Sequence, residues 1–240
     1  MKQKNSPRRL IWLSTFLVFF GQSSIAQTLR DFFNDGNVPL MYLGIDFTRT
    51  KLIDDANANT QDIKDRQYAG LNEIIVQEAK KYDVKKAFRR NNSVDHDLGP
   101  VEKRNQTIDM NQIKSTNTSD FHRFNADSVA AVVSQYDFSG KKGIGLLIVM
   151  EALSKSEKMA ASWYTFVDMS TKKVLATDRI ESKVGGGGPP GPFPHPPSPG
   201  DPRSDFYGNG WRNYWASTVR NAIEMVEKSR YNEWKGKFGN

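Results

Sequence analysis

Hydrophobic and polar positions alternate along this chain at two different periods, and the period assigns most of the elements. The run Val38-Pro39-Leu40-Met41-Tyr42-Leu43-Gly44-Ile45-Asp46-Phe47 is apolar and rich in strand formers, with turn residues Gly36 and Asn37 ahead of it, and reads as a first strand. After a polar stretch from Thr48 to Gln67, Tyr68, Leu71, Ile75, Ala79 and Tyr82 recur at helical spacing, which predicts a core-facing amphipathic helix. Residues Asn91 to Asp120 are polar, with one weak alternation around Thr107 to Ile113 that fits a short edge strand. Asn125 or Asp127 can cap a helix through Ser128 to Val133, ending near Tyr136, because a short polar side chain accepts from the free amides of the first turn.

The strongest pattern is Ile144 to Leu153, almost continuously apolar, as expected of a strand buried on both faces at the centre of a sheet. Met159 to Val167 and Lys173 to Val184 follow across the short polar connections Ser154 to Lys158 and Asp168 to Lys172, so three strands in antiparallel order are expected. A last helix carries Trp211, Tyr214, Trp215, Thr218, Val219, Ala222, Ile223 and Val226 on one face. These elements predict an α+β fold: a single small mixed sheet ending in a three-strand antiparallel meander, covered by two or three helices. Residues 27–184 and 211–240 form the expected domain. Residues 185–210 are read as a disordered Gly/Pro-rich insertion, since they hold eight of the eleven prolines and can join neither sheet nor core.

The first 26 residues follow a different logic. Lys2, Lys4, Arg8 and Arg9 precede the apolar run Leu10 to Phe20, and Ser24-Ile25-Ala26 supplies small residues at a cleavage site before Gln27. This pattern is that of a secretory signal peptide, and its apolar core falls well short of the roughly 20 residues that span a bilayer. The leader holds four of the 34 Lys and Arg and none of the 27 Asp and Glu, leaving 30 against 27, a surplus of three, in the rest. So small a surplus argues against nucleic acid as a partner. The basic group Lys80, Lys81, Lys85, Lys86, Arg89 and Arg90 reads as a solvated helix end. With no cysteine anywhere, disulfides, thiolate nucleophiles, thiolate zinc sites and a lipidated cleavage site are all excluded, and the expected product is soluble, periplasmic or secreted, without a transmembrane segment once cleaved.

No constellation in the sequence selects a reaction. Asp95-His96-Asp97 lacks a second ligand group at metal-binding spacing, His122 reads as structural or exposed, and His195 lies inside the proline segment. No metal or cofactor is expected. Asp46, Asp54, Asp55, Asp168 and Asp178 fall near strand ends as candidate acids, but Asp168 begins a turn where its carboxylate would bond backbone. Phosphate-loop and nucleophile-elbow patterns are absent. Trp211, Trp215, Tyr231, Trp234 and Phe238 gather near the C-terminus among basic residues, where core packing competes with membrane or sugar contact.

Leu146 to Val184, followed by Trp211-Arg212-Asn213-Tyr214-Trp215-Ala216, resembles a group of uncharacterised exported proteins of Bacteroidetes. The resemblance rests on Tyr164 to Asp168, a Tyr-x-x-Phe-x-Asp-like strand here reading Tyr-Thr-Phe-Val-Asp, on the turn Thr171 to Val174, and on the helix start Arg212 to Ala216; Val38 to Asp54 looks like the group's opening strand. The proline segment departs from the shorter glycine-rich connection of that group. In order of elements the chain is also distantly similar to periplasmic domains of the curli-channel lipoprotein and penicillin-binding-protein activator class, which implies partner binding without catalysis. The expectation is therefore an exported envelope protein that binds another protein or a cell-wall component. The alternatives are an exported hydrolase of polysaccharide or peptidoglycan using Asp46, Asp54 and Asp168, and a structural or surface-displayed protein.

Overall fold

A computed structural model of the chain describes residues 29–185 and 204–239. The leader (1–26) and most of the proline segment (186–203) lie outside the described residues. The elements run α1 (Leu29–Asn34), β1 (Leu40–Asp46), β2 (Lys51–Ile53), α2 (Thr60–Asp62), a π-helical turn (Ile63–Gln67) into α3 (Tyr68–Gln77), α4 (Val84–Ala87), β3 (Asp95–His96), α5 (Gly99–Asn105), β4 (Lys114–Ser115), α6 (Ala126–Val133), β5 (Ile144–Ser154), β6 (Met159–Asp168), β7 (Lys173–Lys183), α7 (Ser204–Met225), a second π turn (Val226–Arg230) and α8 (Tyr231–Phe238).

All pairing is organised around β5, which is buried at each of its positions. Strand β6 occupies one edge along the full length, from Ile144 opposite Asp168 to Ser154 opposite Met159, and β7 continues outward from β6. The other edge is shared end to end: β1 pairs in parallel with Ile144 to Val149, and β2 in parallel with Ala152 to Ser154. Strands β3 and β4, two residues each, extend β1 and β2 outward, again in parallel.

This overturns the expected α+β class with its single small sheet and meander. The sheet has seven strands, four of its six ladders are parallel, and it curls into a half-barrel with helices around it, an α/β arrangement. The two antiparallel ladders of β5, β6 and β7 form one flank of this larger sheet rather than its organising unit. Periodicity in the sequence reports burial, and both sheet types bury such strands; partner direction is set by long-range contacts it does not encode.

Helices cover both faces. On one, Tyr42, Ile45, Leu146, Ile148, Tyr164 and Phe166 pack against α1, α3, α7 and α8 through Phe32, Phe33, Tyr68, Leu71, Trp215, Val219 and Trp234. On the other, Leu43, Leu147, Val149 and Val167 meet Val101 of α5 and Val129, Val132 and Val133 of α6. At about 25 cal/mol per Å² of apolar surface, this two-sided burial is the main source of stability. Helix α3 buries Tyr68, Leu71 and Ile75 as its spacing requires, but stops at Gln77, so Ala79 is exposed and Tyr82 enters the core from the following turn. Asn125 caps α6, accepting from the Ser128 amide at 2.9 Å in a reciprocal capping box. The weak alternation at Thr107 to Ile113 is not a strand: a single 3-10 turn, Met110–Gln112, precedes β4.

A bulge at Gly44 aligns β1. The register slips between Tyr42 and Gly44, Gly44 has φ +96°, and a Cβ there would stand 2.7 Å from Val101 Cγ1. Glycine is needed on both counts. Beyond the bulge β3 no longer covers the outer edge, and two asparagines replace it. Asn72 Oδ1 accepts from the Ile45 amide at 2.6 Å, Asn105 Oδ1 accepts from the Phe47 amide at 2.8 Å, and both side-chain amides donate to the Ile45 carbonyl.

Candidate functional site

The carboxylates singled out in the sequence are individually occupied. Asp46, fully buried at the end of β1, accepts from Tyr136 Oη at 2.6 Å and from the Thr48 amide and hydroxyl, with Arg104 Nε at 3.7 Å. Burial, and then the Asp46 charge, push the Tyr136 hydroxyl pKa far above its ordinary value, so it stays a donor. Asp54 accepts from Ser156 Oγ and Asp55 pairs with Lys155 Nζ at 2.7 Å. Asp168 receives the Ser170 and Thr171 amides and hydroxyls, as a turn-forming aspartate does. Asp178 accepts from Trp234 Nε1 at 2.9 Å.

Register fixes how far apart they are. Asp168 lies opposite Ile144 and Ile53, the neighbour of Asp54, opposite Ser154, at the two ends of β5, which at about 3.3 Å per residue are roughly 33 Å apart. Asp46, opposite Val149, is midway. No two of these three share a cleft of the 5 to 10 Å width that paired-carboxylate hydrolysis uses.

The other candidates are equally separate. Asp95 and His96 are exposed on β3, Asp97 binds Lys141 at 2.7 Å, and His122 is 65% exposed with Nδ1 3.6 Å from Glu181. Among the described residues no group of three His, Asp or Glu could hold a metal ion. His195 lies outside the described residues. Trp215, Tyr231 and Trp234 are core residues, and Phe238 stacks on Phe33. In the basic group Lys81 pairs with Glu78 and Lys86 with Glu227, and the buried Arg90 donates to the carbonyls of Phe32, Asp35, Val38 and Phe88. The 360 Å³ hollow beside Arg90, with Lys85 and Arg89 on its wall, is thus bordered by side chains largely engaged in holding the fold.

A different site emerges where β1 passes into β2. Both strands use the same edge of β5, and the chain between them, Thr48 to Thr50, kinks outward at the level where β5 itself bulges between Met150 and Ala152. Thr50 Oγ1 fixes the kink by donating to the Met150 carbonyl at 2.8 Å. A groove of about 290 Å³ opens there, at the carboxyl end of β1, lined by Thr48, Arg49, Thr50, Lys51, Ile108, Asp109, Gln112, Ile113 and Arg123. Ligands of open α/β sheets commonly bind outside the carboxyl ends of strands.

The bulged residue of β5, Glu151, is fully buried and organises the segment that carries Arg123. Its carboxylate accepts from the Phe124 amide at 2.6 Å, from Trp163 Nε1 at 3.0 Å and from Arg179 Nε at 2.7 Å. Arg179 also donates to the Phe121 carbonyl at 2.5 Å and to Glu181. These bonds hold Phe121 to Phe124 rigidly against the sheet, and the guanidinium carbons of Arg49 and Arg123 lie 5.3 and 4.4 Å from the Phe124 ring centre. Arg123 gives only a long 3.4 Å bond to the Glu151 carbonyl, and its buried Nε has no partner among the described residues. Burial lowers its pKa, the Asp120 and Glu151 charges opposing this and the Arg49 charge adding to it. Asp109, the groove's carboxylate, accepts from the Asn111 amide at 3.0 Å as a helix-turn cap.

Arg49, Arg123, Phe124 and Glu151 were not selected by sequence reasoning. One residue was conspicuous: Glu151 is the single charged position in the Ile144 to Leu153 run. Among the described residues no helix is long and apolar enough to cross a membrane. Compared with known proteins, the chain matches no family model and no curated sequence.

Proposed function

We propose that this is an exported protein of the cell envelope, periplasmic or secreted, that binds a partner, another protein or a cell-wall component, and catalyses nothing. The separation of Asp46, Asp54 and Asp168 along β5 carries this reading, because it removes the acid pair on which a hydrolase would depend. A rigid sheet with a preformed groove at a strand end suits recognition. Crosslinking the tagged protein in growing cells under several conditions is expected to recover one recurrent envelope protein or cell-wall fragment. Release of reducing ends or free peptides from purified cell wall by the protein would overturn the reading, as would crosslinking that yields no recurrent envelope component.

A further inference from the structure

The groove beside Phe124 has an excess of positive charge that the fold does not use. Arg49 is exposed and makes no hydrogen bond or ion pair among the described residues, and Arg123 has donors to spare. Glu151 is bonded to Phe124, Trp163 and Arg179, and Asp109 to its cap; the charges of Asp120 and Glu151 act on Arg123, while no carboxylate pairs with Arg49 among the described residues. The two guanidinium carbons, sharing one ring, lie within about 10 Å of each other. Like charges held this close repel, and although Asp120 and Glu151 offset this at Arg123, the exposed Arg49 and the unpartnered Arg123 Nε leave donors free for an anion. Each guanidinium also presents planar paired donors, the geometry that matches a carboxylate or phosphate.

We infer that the Arg49–Phe124–Arg123 stack is an oxyanion-binding site, taking a carboxylate or phosphate group of the bound partner into the groove between the Thr48 to Lys51 kink and Arg123. Ile108 and Ile113, almost fully buried, also line the groove. Lys51, whose Nζ is already bonded to the Gln112 carbonyl at 2.5 Å, adds positive potential at the groove's end. The site rests on the partner-binding reading for its physiological occupant, but its affinity for an oxyanion is a separate property.

The test is calorimetric titration of the purified full chain at low ionic strength with inorganic phosphate and, separately, with glutarate. At least one probe is expected to bind, more weakly as salt is added, and the stronger of the two identifies the source of the oxyanion. Arg49→Gln and Arg123→Gln should each weaken binding about tenfold and the double variant should abolish it, while Lys85→Gln in the other hollow leaves it unchanged. Arg123→Lys, which keeps the charge and loses the planar fork, should fall between. Because Arg49 is exposed and makes no hydrogen bond or ion pair among the described residues, Arg49→Gln keeps the wild-type melting temperature and reports on the site even if the Arg123 variants unfold. Failure of both probes to bind the wild type, or equal binding by wild type and Arg49→Gln, overturns the assignment. If crosslinking captures a partner but neither probe binds, the oxyanion site fails and partner binding stands; if the probes bind but no partner is captured, the reverse holds.

Discussion

Glu151 and Arg179 meet at 2.7 Å, the carboxylate without solvent exposure and the guanidinium side chain 19% exposed, joining the bulge of β5 to β7 across β6. A buried pair of this kind adds little over a well-packed apolar pair, yet removing one member strands the other. Glu151→Ala and Arg179→Ala are each expected to lose about 3 kcal/mol of unfolding free energy in urea. Because the two act on one network, the double variant should cost clearly less than the sum. Additive losses would mean that the pair is not coupled.

Asn72 and Asn105 take the place of a strand along β1, and their removal should be felt as unmet backbone hydrogen bonds. Asn72→Ala and Asn105→Ala are each expected to cost about 2 kcal/mol, since a buried amide or carbonyl left unpaired forfeits its desolvation cost. The sharper measurement is hydrogen exchange: the Ile45 amide should lose protection in Asn72→Ala, and the Phe47 amide in Asn105→Ala.

Asp168 sets an acid limit. Burial pushes its carboxyl upward, and the bonds from Ser170 and Thr171 more than reverse this, leaving the pKa below its ordinary range; Asp97, bonded by Lys141 and the Gly99 amide, and Asp62, bonded by Arg66 and Gln67, are lowered in the same way. A lowered folded-state pKa gives stabilisation that is complete above the unfolded value of about 3.9 and disappears as pH falls through the folded one. Urea midpoints should therefore drop below about pH 4, and drop less steeply in Asp168→Asn, which is already destabilised by about 1 kcal/mol at neutral pH.

Tyrosines set the opposite limit. Burial raises the hydroxyl pKa of Tyr42, Tyr68, Tyr136 and Tyr164 well above the ordinary value of about 10. Their stabilisation is complete below that value and is lost as pH rises through the folded pKa. Absorbance at phenolate wavelengths should show these four failing to ionise with the exposed ones, then ionising together as the fold gives way. Stepwise ionisation of a still-folded protein would contradict their burial.

Single elements were legible in the sequence where one residue's surroundings are decided locally. The apolar run of β5, the face of α3, the Asn125 cap and the Asp168 turn each follow from neighbours a few positions away. What decided the class was not local: β1 and β2 are consecutive yet share one edge of β5, a strand far along the chain, and β3 and β4 are two residues long, too short to leave a period. The groove was hidden for the same reason. Arg49 and Arg123 are unremarkable in sequence, and only the kink after β1 and the anchoring of Phe124 by Glu151 set them on one ring.

The contacts of Arg90 have a consequence for the order in which the chain can assemble. Its guanidinium is over the Phe32 ring at 3.9 Å and within 3.2 Å of the Tyr231 hydroxyl, while Asn34 donates to the Gly239 carbonyl at 2.5 Å, so α1 is closed against α8. Phe32 and Phe33 meet Phe166 of β6, but Phe33 also packs on Tyr231 and Phe238, so a chain that emerges N-terminus first completes the shelter of α1 only when its final helix docks. The first described helix is thus closed in full by the last, and the two ends of the fold are finished together.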